Sequence, residues 1–248
     1  MVDAGAVGGD GNPVLTVAMH MSDGLVNAPT AAVFGLVAAM GLAIAASRAR
    51  ADLDERTAPM AGLVTAFVFA VQMINFPILP GASGHLLGGA LVAILVGPWV
   101  GSLCIAIVLV VQALLFADGG LTALGTNITN MALVGVFTGY GVAYALRRVA
   151  ARSRRGLVAT AFVAALVNTV VAALAFVAEY AVGGSGGAAL GTVFGLMVGL
   201  HVLVGVGEGI ITAATVAAVA ATRPDLVYLL RGIRPAVGQG LTDEGVAR

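Results

Sequence analysis

Apolar residues in this chain come in long unbroken runs, over 30–47, 59–79, 85–97, 99–117, 122–146, 157–181 and 188–221. A helix needs ~20 mostly apolar residues to cross a bilayer core of ~30 Å, and most of these runs approach that length. A transmembrane barrel would instead alternate apolar and polar positions. The pattern predicts an all-α polytopic membrane protein with about seven transmembrane helices. Run 85–97 is short, so 85–117 either crosses twice or forms a re-entrant hairpin, and both leave the parity of crossings unchanged. Run 188–221 is long for one perpendicular crossing. It is expected to tilt, kink or continue past the membrane rather than divide into two.

The segments between runs set the orientation. All twelve basic residues are arginines, and lysine is absent. Arg48, Arg50 and Arg56 follow the first run, Arg147, Arg148, Arg152, Arg154 and Arg155 follow the fifth, and Arg223, Arg231, Arg234 and Arg248 follow the last. Seven crossings with the N-terminus outside and the C-terminus cytoplasmic put every arginine on the inner face, as the positive-inside rule requires. Composition agrees with the membrane reading: 60% of residues are hydrophobic and 10% charged, against roughly 25% charged in soluble domains. The single cysteine, Cys104, lies in an apolar run and reads as a buried bystander thiol. A P-loop needs a lysine and a zincin needs HExxH; the chain has neither, so any ATP hydrolysis belongs to other subunits.

Residues 1–18, MVDAGAVGGDGNPVLTVA, have no basic residue and no apolar core of signal-peptide length, so they read as a disordered leader. Behind them stands MHMSDG, residues 19–24, on the outer face. If translation starts at Met19, its free amine and the His20 amide nitrogen close a five-membered chelate ring around a metal. The same amide and the His20 Nδ1 close a six-membered ring. A second imidazole would fill the open corner, and His85 lies on the same face. Four nitrogens in a square suit nickel(II) or copper(II), and cobalt(II) can be accommodated. The plainer readings are an interfacial His20 and a His85 that caps a helix start. Asp118, Asn127 and Asn130 also fall on the outer side and are candidates for orienting the ligands, with capping or interhelical hydrogen bonding as the alternative for the asparagines. His201 and Glu208, seven apart, share a helix face; ionisable groups at such depth are functional candidates, or else a buried structural pair.

Four blocks in order, MHMSDG, NFPILPGASGHLLGGALVAILVGPW, LLFADGGLTALGTNITNM and HVLVGVGEGIIT, resemble the cobalt/nickel CbiM/NikM family. These are the substrate-binding (S) components of energy-coupling factor (ECF) ABC transporters. The likeness runs from Met19 to about residue 222. It implies a seven-helix protein of the prokaryotic cell membrane whose N-terminus folds back from outside to bind Co²⁺ or Ni²⁺ as the transported substrate, with no organic cofactor and no enzymatic activity. It implies as ligands the terminal amine, the second-position His and the His of the SGH block, here Met19, His20 and His85. It implies as partners a transmembrane coupling (T) subunit, two ATPase subunits and a small accessory membrane protein, but no nucleic acid. The expected organisation is a leader 1–18, a transmembrane metal-binding unit 19–222 and a cytoplasmic tail 223–248. As the chain stands, Met19 carries an amide and not an amine. A start at Met19, a cleaved leader or a different ligation would each reconcile this, and the leader's low complexity favours the first.

His20 and His85 must be neutral to bind metal, so affinity is expected to fall below about pH 6.5. The small residues Ala31, Gly35, Ala39 and Ala43 on the first run offer a face for a partner helix. Two other functions fit the composition. One is an autonomous proton-coupled carrier using His201 and Glu208; the other is a metal sensor or scaffold with the arginine-rich loop 147–155 as its output.

Overall fold

The computed structural model describes residues 20–74, 76–79 and 82–232. The leader, Met19 and the tail beyond residue 232, with Arg234 and Arg248, lie outside the described residues.

Local chemistry sets the helix boundaries. The Asn27 side chain accepts the Thr30 amide at 3.0 Å, and Pro29 stands in the first turn of α1 (Ala28–Asp52), both standard helix-start features. Asp54 accepts the Thr57 and Arg56 amides at 2.6 and 3.0 Å and so begins α2 (Thr57–Gln72). The run 59–79 was expected to be one helix, but α2 stops at Gln72. Pro77 lacks an amide proton and cannot continue an α-helix. The chain instead forms a short antiparallel pair, β1 (Phe76–Leu79) with β2 (Ala82–Gly84).

Gly88, at φ +77°, turns the chain into α3 (Gly89–Val96), and Gly97, at φ +88°, turns it again into α4 (Pro98–Leu115). Every residue of α3 is buried. The next rod begins as α5 (Leu124–Asn127), widens to a π-helix over Ile128–Gly135 and ends as α6 (Val136–Ala145). A short α7 (Arg147–Ala150) leads to α8 (Arg154–Gly183), whose N-cap Ser153 accepts the Gly156 amide at 3.0 Å. The longest helix, α9 (Leu190–Thr222), is followed by two single 3₁₀ turns, Pro224–Leu226 and Tyr228–Leu230.

Among the described residues, five helices are long and apolar enough to cross a membrane: α1, α4, the rod 124–145, α8 and α9. Helix α2 is apolar but shorter. Helix α3 has eight residues, about 12 Å, too short for a ~30 Å core. The architecture is thus all-α and polytopic with a small hairpin, and the seven apolar runs each contribute a helix, although not each a full crossing. The run 188–221 is undivided, as expected. Large apolar side chains on the outer surfaces, such as Leu36, Leu63 and Leu203, are more than 60% exposed, and a lipid-facing surface explains them.

Close helix packing comes from small residues. A Cβ at Gly209 would meet Phe162, one at Gly205 would meet Leu166, and one at Gly139 would meet Ala90. The bundle has two chemically distinct ends. Gly183, at the end of α8, accepts the Asn27 amide at 2.7 Å, so α1 begins where α8 finishes. The opposite end holds Arg48 and Arg50 of α1, Arg147, and Arg154 and Arg155 of α8, together with Arg231, which donates to Thr57 at 2.8 Å. The described arginines therefore collect at one end, and His20 lies at the other. Segment 85–117 leaves and returns to the His20 end, with its turn at Gly97 against the Tyr228 ring.

Candidate metal centre

A strap of residues 20–27 lies across the end of the bundle away from the arginines. Asn127 holds it like a paired strand: its Oδ1 accepts the Met21 amide at 2.8 Å and its Nδ2 donates to the Met21 carbonyl at 3.1 Å. The Gly120 amide donates to the same carbonyl at 2.8 Å. Asp23 accepts from the Thr122 amide at 2.7 Å and from its hydroxyl at 2.6 Å; these bonds hold the Asp23 carboxyl below its ordinary value. A Cβ on Gly120 would collide with the Ser22–Asp23 backbone, so the strap needs glycine there. Farther along, the Ser185 amide donates to the Leu25 carbonyl at 3.0 Å.

This clamp buries His20 and brings its ring against His85, with centroids 4.4 Å apart and planes at 39°. His20 Nδ1 lies 3.0 Å from Asp118 Oδ1, and His85 Nδ1 lies 3.0 Å from the Leu86 carbonyl oxygen. A carbonyl only accepts, so His85 Nδ1 carries a proton and, in the neutral ring, Nε2 keeps its lone pair. The carboxylate imposes the same arrangement on neutral His20. Both Nε2 atoms are buried without a partner among the described residues, as is Asp118 Oδ2. Burial alone would raise the Asp118 carboxyl, but its hydrogen bond and charge interaction with His20, and the charge interaction with His85, hold it below the usual 3.8. Two desolvated imidazoles with free lone pairs, one oriented by a carboxylate, are suited to a borderline transition metal.

The structure places the sequence candidates unequally. His20, His85 and Asp118 come together, and Asn127 fixes the strap that carries His20. One detail differs from expectation: the chelate drawn from sequence uses His20 Nδ1, but that atom faces Asp118 and Nε2 is free. Chelation through the His20 amide and Nδ1 would require Nδ1 to turn away from Asp118. Met19, the third expected ligand residue, lies outside the described residues. Asn130 is engaged elsewhere, donating to Glu179 Oε2 at 2.7 Å on α8.

His201 and Glu208 share a helix face without bonding each other. His201 Nδ1 lies 2.6 Å from the Met197 carbonyl of its own helix. Glu208 accepts four hydrogen bonds: from the Leu87 and Gly88 amides at 2.8 and 3.1 Å, from Asn168 Nδ2 at 2.9 Å and from Thr169 Oγ1 at 2.9 Å. Gln72 Nε2 donates to the Leu87 carbonyl at 2.6 Å. Glu179, Asn168 and Gln72 were not singled out in the sequence, although polar residues inside apolar runs are the relevant signal. Among the described residues, no group of three or more His, Cys, Asp or Glu side chains is placed to hold a metal ion.

Residues 20–226 match the model of the cobalt uptake substrate-specific transmembrane region, CbiM. The chain belongs to this family. It is 41% identical over 209 residues to a putative fused nickel transport protein NikMN of Archaeoglobus fulgidus, covering 84% of this chain and 68% of that one. It is 33% identical over 227 residues to the cobalt transport protein CbiM of Sorangium cellulosum, covering 89% and 99%. A crystal structure of a transition metal transporter superposes with a TM-score of 0.75 at 30% identity, covering 86% of this chain and all of that one. As a CbiM-family chain with five membrane-length helices, this is a multi-pass membrane protein.

Proposed function

We propose that this chain is the substrate-capture subunit of an ECF-type importer of Co²⁺ or Ni²⁺, binding the ion at the extracytosolic end through His20, His85 and main-chain nitrogens of the Met19–His20 segment. The observation that carries this reading is the pair of adjacent, buried imidazoles, each with an Nε2 that has no partner among the described residues. A buried polar atom without a partner costs about 1–3 kcal/mol, which metal coordination offsets. Two rings do not complete a coordination shell, so main-chain nitrogens supply the rest.

The clustering of described arginines opposite His20 supports an outer metal site and a cytoplasmic C-terminus. The cobalt and nickel transport named for the relatives supports the choice of ion. ATP hydrolysis is assigned to two separate ATPase subunits reached through a transmembrane coupling subunit. The fused nickel transport protein among the relatives favours a further small membrane partner. Residues 1–18 are read as preceding the functional start at Met19.

The carrier reading based on a His201–Glu208 relay receives no support, because the two side chains serve different partners. The test is calorimetric titration with Ni²⁺ and Co²⁺ of the full chain beside a chain beginning at Met19. Tight binding only when residue 19 carries a free amine is expected. Equal binding by an unprocessed full chain overturns the free-amine ligand.

A further inference from the structure

The loop that presents His85 is held by a carboxylate from a distant helix. Glu208 on α9 is buried, and its two oxygens accept from the Leu87 and Gly88 amides, which directly follow the His85–Leu86 pair. Those amides precede the first turn of α3, a helix with no side-chain N-cap of its own. Helix N-termini leave amides unsatisfied, and unpaired backbone groups are costly within an apolar bundle. Glu208 accepts from the amide of the N-cap Gly88 and from the Leu87 amide just before it. Asn168 and Thr169 of α8 donate to the same carboxylate and fix its rotamer, and Gln72 of α2 secures the Leu87 carbonyl. Four donors on one carboxylate define its position closely. The His85 side chain is tied to the same stretch, because its Nδ1 faces the Leu86 carbonyl.

We propose that Glu208 is a positioning residue for metal capture: through the Leu87 and Gly88 amides it sets where the His85 ring stands, and thereby the affinity of the metal site. This rests on the metal-site reading above. Glu208 touches no metal in this scheme. Replacing its carboxyl leaves both imidazoles in the sequence but lets the His85 loop drift from the geometry a four-nitrogen site demands. Indirect ligand support of this kind typically changes metal affinity ~10–100-fold.

The experiment is a double-mutant cycle of Ni²⁺ affinity, measured by calorimetry in the form of the protein that binds metal. Glu208→Gln keeps the side-chain size but turns an amide NH₂ toward the amide donors. It is expected to weaken Ni²⁺ binding ~10–100-fold while the protein stays folded, and to add nothing in a His85→Ala background, since its effect passes through that ring. The bound-Ni²⁺ ligand-field band should shift in Glu208→Gln, a change that a merely stabilising residue would not produce. Unchanged affinity in folded Glu208→Gln overturns the proposal, as does an equal loss in the His85→Ala background. Normal binding by His85→Ala instead overturns the metal-site reading itself, and the role of Glu208 with it. If Glu208→Gln does not fold, Thr169→Val deletes one donor at constant shape. An affinity loss of about 3-fold, again absent with His85→Ala, supports the proposal, and no loss overturns it.

Discussion

Asn127 reads the Met21 backbone twice, taking its amide at 2.8 Å and giving to its carbonyl at 3.1 Å. One amide side chain thus substitutes for a strand partner and holds the segment that carries His20. Asn127→Leu removes both bonds, leaving the Met21 amide unmatched and its carbonyl with the Gly120 amide as donor. Each unmatched buried group costs about 1–3 kcal/mol. The expected outcome is release of the strap, seen as faster amide exchange at Met21 and at least a ~10-fold loss of Ni²⁺ affinity, with the transmembrane helices intact. Retained protection at Met21 would refute the clamp.

Asp118→Asn tests the orientation of His20. The carboxylate lies 3.0 Å from His20 Nδ1 and fixes the ring. Its replacement is expected to lower metal affinity ~10–100-fold in a protein that remains folded. Affinity equal to the unsubstituted protein would show that the ring is held by packing alone.

The same pair predicts a pH dependence of stability. Native Asp118 sits below its ordinary 3.8, so the folded protein binds fewer protons there than the unfolded chain. Its contribution is complete above the ordinary value and is lost as pH falls through the lowered one. The metal-free stability difference between the protein and Asp118→Asn should shrink as pH falls from about 5 through the lowered value. A difference that vanishes already near pH 6 would contradict this.

At the arginine end, Gly97→Ala is expected to destabilise the protein. Gly97 has φ +88°, and a Cβ there would stand 2.8 Å from the Tyr228 ring. A strained non-glycine backbone costs about 1–3 kcal/mol, before the ring is displaced. Thermal melting should show the loss, and adding Tyr228→Ala should not deepen it by the full sum of the two changes. Strict additivity would argue against the contact.

Much of this was legible from sequence because lipid imposes a length and a polarity on every crossing. The runs from 99 onward become α4, the rod 124–145, α8 and α9 within a few residues of their expected limits. The run 59–79 misled because Phe76, Ile78 and Leu79 are as apolar as a helix, while Pro77 forbids one. The shortness of α3 was legible in the short run 85–97 and in the glycines and proline that bound it, Gly88, Gly89, Gly97 and Pro98. At the site, His20, His85 and Asp118 could be named since polar residues at the edge of apolar runs are few. The partners of Glu208 could not, because spacing along α9 points to His201, whereas the bonds run to Asn168 and Thr169 on another helix and to Leu87 and Gly88 more than a hundred positions away. Helical periodicity reports which face a residue occupies and not what lies opposite. Glu179 and Asn168 went unremarked for the same reason, although each is a polar side chain deep in α8.

Nickel K-edge X-ray absorption on the purified, Ni²⁺-loaded protein addresses the metal site most directly. Two imidazoles and main-chain nitrogens predict a planar first shell of about four nitrogens, with outer-shell scattering from two rings that falls to one in His85→Ala. An oxygen-rich six-coordinate shell, or a spectrum unaltered by His85→Ala, would contradict capture by His20 and His85.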